Sequence, residues 1–147
     1  EVTMLSTSPS KENDAKMLGA HHFALSTDKD QMKALRGQFD FILNTVAAKY
    51  DLNKFLDLLT VEGKMLLVGI PPEDNELGSA KLISRRRSII GSNVGGIAET
   101  QEMLDYCAEH NILSDVEMIQ MKDINEAYTR ISNSTVKYRF VIDMASM

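Results

Sequence analysis

The stretch Val2-Thr3-Met4-Leu5-Ser6-Thr7-Ser8-Pro9-Ser10-Lys11 decides how the rest of the chain is read. Its first four residues form the pattern of a short buried strand. The strand runs into three small hydroxyl residues, then a proline that pre-sets φ for helix entry, then a lysine. Hydroxyls and helix-entry N–H groups donate hydrogen bonds and a lysine adds a point charge, so such a turn suits a phosphate monoester. The plainer alternative is an ordinary strand-to-helix turn with Ser10 as the helix cap. The motif by itself does not separate the two.

Outward from this turn, strand and helix patterns alternate. Residues 10–18 predict a helix stopped by Gly19, 23–25 a second strand, and 30–35 a short helix. Residues 39–46 predict a third strand, 52–59 a helix with Leu52, Phe55, Leu56 and Leu59 on one face, and 63–69 a fourth strand. The Pro71-Pro72 pair with the acidic residues after it reads as a surface loop, and 88–93 is a fifth strand ending at Gly95-Gly96. Beyond it, 99–110 predict a helix with Met103, Leu104 and Cys107 facing inward. A strand over 116–121, a helix over 124–131 and a strand over 138–144 follow. Nearly all-apolar strands separated by helix-length segments imply a parallel sheet covered on both faces, the doubly wound α/β class. Ligands of such sheets sit outside the carboxyl ends of the strands. Here those ends are Ser6-Thr7-Ser8, Asn44-Thr45-Val46, Val68-Gly69-Ile70 and Ser92-Asn93-Val94, small or hydroxyl-bearing residues that let a flat ligand approach the backbone.

In a dinucleotide-binding fold, an acid at the end of the second strand accepts the ribose 2′-hydroxyl of NAD. Its absence together with a basic group admits the 2′-phosphate of NADP. No acid follows the first strand here until Glu12, and Lys11 supplies the base. The glycine-rich turn expected before such a strand is not among these residues, which leads us to expect a piece of a larger enzyme.

Composition narrows the partners. The chain has 147 residues, 44% hydrophobic, enough for a core, with 25% charged residues and a net charge of −5. An acidic chain gives no electrostatic reason to expect nucleic acid. Its longest apolar runs, such as Met65-Leu66-Leu67-Val68, are strand-length, so no membrane span is expected. The single Cys107 excludes an internal disulfide and a multi-cysteine zinc site, and points to a reducing, cytoplasmic setting. Cys107 itself reads as a small buried hydrophobe rather than a nucleophile. His21 and His22 are adjacent on extended chain and point to opposite faces, so they are expected to be turn residues, not a metal pair. Arg85-Arg86-Arg87 reads as a solvated run leading into a strand.

Several strings taken together resemble one family. They are Glu1-Val2-Thr3 with Ser6-Thr7-Ser8 and Lys11, Leu18-Gly19-Ala20-His21-His22-Phe23, and Phe39-Asp40-Phe41-Ile42-Leu43-Asn44-Thr45-Val46. Residues 63–72, Arg86-Arg87-Ser88-Ile89-Ile90-Gly91-Ser92, Gly95-Gly96-Ile97-Ala98-Glu99, Asn125-Glu126-Ala127-Tyr128 and Val136-Lys137-Tyr138-Arg139-Phe140-Val141 complete the set. In this order they resemble the NADP-dependent, zinc-containing alcohol dehydrogenases, in the cinnamyl alcohol dehydrogenase branch of the medium-chain dehydrogenase/reductase superfamily.

The resemblance implies a Rossmann-type parallel sheet over residues 1–112, incomplete at its amino-terminal side. Residues 113–147 would be a strand-helix-strand segment returning to the catalytic domain. It implies NADP(H) as cofactor and hydride exchange with a primary alcohol or aldehyde. Zinc would assist, held by ligands outside these residues, and the enzyme would be a homodimer. Ser6, Thr7, Ser8 and Lys11 resemble the family's 2′-phosphate clamp, and Thr45 with Val46 the residues flanking the adenosine ribose. Val68, Gly69 and Ile70, with Ser92, Asn93 and Val94, resemble the backbone contacts to the nicotinamide carboxamide. Arg139 resembles a basic residue reaching the cofactor phosphates. No catalytic or metal-ligating residue is assigned within the chain, which alone is expected to be inactive. The rival expectation is a non-catalytic NADPH-binding or assembly module.

Overall fold

The apolar segments become, in the computed structural model, short strands paired in parallel throughout. The structure describes residues 1–133 and 135–147, in two compact units, Glu1–Asn93 and Val94–Met147.

In the first unit, β1 (Thr3–Ser6) pairs with β2 (His22–Leu25), Thr3 opposite His22 and Ser6 opposite Leu25. A 3-10 turn over Pro9–Lys11 leads into α1 (Glu12–Met17), and the chain leaves it through Gly19 at φ +98°, a left-handed conformation natural to glycine. Ser10 does not cap this helix as the sequence suggested. Pro9 starts the helical turn one residue earlier, so Ser10 lies inside it, its hydroxyl 2.8 Å from that of Ser8. The next helix, α2 (Lys29–Ala34), is capped by Asp28, whose carboxylate accepts the N–H groups of Asp30 (2.9 Å) and Gln31 (3.1 Å). The bond from Gln31 contributes most to holding that carboxyl below its ordinary range.

A three-stranded sheet completes the unit: β3 (Phe39–Asn44), β4 (Leu59–Leu67) and β5 (Ser88–Gly91), in that spatial order. The helices α3 (Leu52–Leu56) and α4 (Ser79–Ile83) occupy the crossovers. α3 is also shorter than the predicted 52–59. Leu58 and Leu59 are instead fully enclosed at the entry to β4, where Leu59 pairs with Phe39 before a register shift puts Phe41 opposite Lys64. Burying a leucine contributes about 1.5–3 kcal/mol, more than the small helix-propensity advantage of another half-turn. The core is Ile42, Leu52, Leu56, Leu58, Leu59 and Met65, and Leu5 of β1 packs against it.

Arg87 corrects the expectation of a solvated arginine run. Arg85 and Arg86 are exposed, but Arg87 is only 7% exposed. Its guanidinium donates to the Leu59 carbonyl from Nη2 (2.7 Å) and Nε (3.2 Å), and to the Lys81 carbonyl (3.2 Å). Chain termini of strand and helix leave carbonyls without partners, and a forked cation can gather several of them.

In the second unit, α5 (Ile97–Glu109) precedes β6 (Glu117–Gln120), α6 (Ile124–Ser132) and β7 (Phe140–Asp143), with β6 and β7 parallel. The expected inward face of α5 is not buried: Met103 is 50% and Leu104 51% exposed, and Cys107 is partly covered. Amphipathic spacing locates an apolar stripe but does not supply the layer that covers it. On α6, Arg130 bonds the Glu117 carboxylate at 2.7 Å and lies 4.8 Å from the centre of the Phe140 ring. Among the described residues no helix is long and apolar enough to cross a membrane.

Candidate cofactor site

The carboxyl ends of β3 and β4 meet through Asn44. Its main-chain carbonyl accepts the N–H groups of Val68 (3.0 Å) and Gly69 (3.4 Å), tying the end of β4 to the end of β3. Its side-chain oxygen accepts the Val46 N–H at 2.8 Å, which closes the turn through Thr45. Its side-chain nitrogen donates to the Tyr50 hydroxyl at 2.6 Å. Ser92 N–H donates to the Leu67 carbonyl at 3.0 Å and brings the end of β5 to the same edge.

Gly69 makes this meeting possible. A Cβ there would stand 2.6 Å from the Val46 carbonyl oxygen and 2.8 Å from the Thr45 carbonyl carbon. Two turns therefore lie backbone against backbone, with Thr45, Val46, Val68 and Ile70 exposed above the contact. Loops farther out brace the platform: Tyr50 N–H donates to Asn75, Lys49 pairs with Glu73 at 2.6 Å, and Asn53 bridges the Glu76 carbonyl and the Gly78 N–H. The Tyr50 ring stands edge-on to Phe55 at 5.6 Å, and its burial raises the phenol pKa above the ordinary tyrosine value.

Ser6, Thr7, Ser8 and Lys11 stand at the carboxyl end of β1 and in the turn that follows. Ser6 Oγ accepts the Ser8 N–H at 3.2 Å, which fixes the turn. Lys11 is exposed and forms no ion pair among the described residues. The structure thus groups Thr45, Val46, Val68, Gly69, Ile70, Ser92 and Asn93 on the edge of one sheet, and the Ser6–Lys11 set at the end of β1 in the same unit. Val94 and Arg139 belong to the second unit, Arg139 exposed just before β7. His21 and His22 act separately: the first accepts the Val2 N–H through Nδ1, the second pairs with Glu1. Among the described residues no three His, Cys, Asp or Glu side chains could hold a metal ion together.

Residues 1–109 match the family model described as zinc-binding dehydrogenase. The chain belongs to this family. It is 48% identical to a probable mannitol dehydrogenase of Medicago sativa, over 99% of its own length and 41% of the relative's. It is 47% identical to NADP-dependent alcohol dehydrogenase C of Mycobacterium bovis, over 100% of its length and 42% of the relative's. Among solved structures, the cinnamyl alcohol dehydrogenase of Sorghum bicolor superposes with a TM-score of 0.93 at 39% identity, over 98% of this chain and 41% of that one. That of Helicobacter pylori, solved with NADP(H), gives 0.83 at 38% identity, over 99% and 41%. This zinc-binding dehydrogenase chain therefore spans about two-fifths of the relatives it matches, and its parallel sheets have the Rossmann-like arrangement of their carboxyl-terminal parts.

Tyr50 and Asn75 were not among the residues singled out from sequence, and Asn44 was named only as part of a strand end, though all three organise the edge. One signal was present. An asparagine placed directly after an apolar strand and two residues before a main-chain N–H is the pattern of an Asx turn.

Proposed function

We propose that this zinc-binding dehydrogenase chain is the cofactor-binding portion of an oxidoreductase that exchanges hydride between NADP(H) and a primary alcohol or aldehyde. The supporting observation is the backbone-against-backbone edge at Gly69, a flat platform at the carboxyl ends of parallel strands, where sheets of this type bind dinucleotides. Thr45 and Val46 would flank the adenosine ribose, while Val68, Gly69 and Ile70, with Ser92, Asn93 and Val94, would present main-chain groups to the carboxamide. Ser6, Thr7, Ser8 and Lys11 would take the 2′-phosphate through hydroxyls, amides and one positive charge. Arg139 would reach the remaining phosphates. The bound cofactor supplies the hydride chemistry; the chain supplies orientation, holding one ring face toward the substrate.

Residues 1–112 would carry the nucleotide and 113–147 the return to a catalytic domain, although packing groups α5 with the second unit. The described residues offer no ligand set for zinc, which in the complete enzyme would be held by ligands outside them. The outer edge of β5, unpaired among the described residues, supports a homodimer, and the single free thiol a cytoplasmic setting. The test is reduction of a panel of primary aldehydes by the complete protein with NADPH or NADH, alongside its zinc content. Turnover with NADPH supports the reading; binding of NADPH without turnover would favour a non-catalytic module.

A further inference from the structure

We propose that Asn44 is a positioning residue, its carboxamide anchored on Tyr50 so as to set the Thr45–Val46 turn against Gly69 and thereby the fit of the cofactor. The inference rests on the cofactor reading above and deepens it. Asn44 and Arg87 are the two buried polar residues of the described chain, each 7% exposed. Arg87 is accounted for by the carbonyls it gathers. A residue ending a core strand needs only apolar bulk to pack, and a buried amide costs free energy unless both its ends are bonded. Both ends of the Asn44 amide go to the loop that follows β3: oxygen to Val46 N–H, nitrogen to Tyr50 Oη. Its main-chain carbonyl grips Val68 and Gly69. One residue therefore sets the spacing of two turns proposed to touch the ligand, while its own side chain is enclosed beneath them.

The experiment measures NADPH Kd by fluorescence titration of the complete protein, at a temperature well below the melting point of each variant. Asn44→Ala frees the Val46 N–H and should raise Kd about tenfold, the equivalent of one net hydrogen bond. Asn44→Asp should recover binding to within about threefold of wild type, because its carboxylate still accepts Val46 N–H and Tyr50 can turn from acceptor to donor. Should Asn44→Ala fail to fold, Tyr50→Phe carries the test by removing only the anchor hydroxyl, with an expected rise of about threefold. A merely structural Asn44 would lower the melting temperature of Asn44→Ala and leave Kd unchanged. That result, or an Asn44→Asp variant no better than Asn44→Ala, overturns the inference. A wild-type protein that does not bind NADPH removes the cofactor reading first and this inference with it.

Discussion

Replacing Gly69 by alanine adds a single methyl group at the point where the ends of β3 and β4 touch. The new Cβ would lie 2.6 Å from the Val46 carbonyl oxygen, 2.7 Å from its carbon and 2.8 Å from the Thr45 carbonyl carbon. Non-bonded heavy atoms settle at roughly 3.5 Å or more, so the Thr45–Val46 turn must retreat by about 0.7–0.9 Å. All three obstacles are main chain, so no rotamer change relieves the clash. The Asn44 bonds to Val46, Val68 and Gly69 resist the retreat. Overpacking of this kind costs about 1–3 kcal/mol. A displacement approaching 1 Å in a positioning element also carries losses of up to about a hundredfold in turnover. We expect Gly69→Ala in the complete protein to melt several degrees lower and to bind NADPH at least tenfold more weakly, by differential scanning fluorimetry and fluorescence titration. An unchanged Kd together with an unchanged melting temperature would refute the reasoning, since the backbone contact would then be neither tight nor connected to the ligand.

Other consequences follow from separate parts of the chain. Ser6→Asp combined with Lys11→Ala places a carboxylate where the 2′-phosphate would sit and removes the cation, so the ratio of kcat/KM for NADPH over NADH should fall at least tenfold; an unchanged ratio removes the clamp. Arg87→Met leaves the Leu59 and Lys81 carbonyls without their donors and should cost about 2–3 kcal/mol in urea unfolding. A loss below half a kilocalorie would show those bonds to be dispensable. Glu117 accepts from Arg130 and from Lys137 N–H, and the Arg130 bond above all holds its carboxyl below the ordinary glutamate range. Its stabilisation is therefore complete above the unfolded glutamate pKa and disappears as pH falls through the lower folded value. Glu117→Gln should flatten that part of the acid-unfolding curve, and a curve superimposable on wild type counts against the pair.

Much of the fold was legible because apolar strand runs are short and bounded by glycine, proline or small residues. The runs read as strands over 23–25 and 63–69 fall on β2 and on the later part of β4 (Leu59–Leu67) for that reason. Where an apolar run was long, the two periodicities competed. Residues 52–59 fit a helical face, yet the enclosure of Leu58 and Leu59 ended α3 at Leu56 and began β4. Charge gave no warning that Arg87 is buried while Arg85 and Arg86 are not, because that depends on which carbonyls the strand entry leaves unpaired. Met103 and Leu104 show the opposite failure, an inward pattern without a covering layer among the described residues. At the candidate site, the strand ends could be read from their small residues. The Asx turn of Asn44 left a local signal, but its meeting with Gly69 could not be read, because it joins turns more than twenty residues apart in sequence.

The most direct test of the central claim is a pair of calorimetric titrations of the complete protein, one with NADPH and one with NADH. The account predicts saturable binding of NADPH at least tenfold tighter than NADH, carried by the Ser6–Lys11 turn. Equal affinities would contradict the clamp, and the absence of binding to either would contradict the assignment of this edge to a dinucleotide.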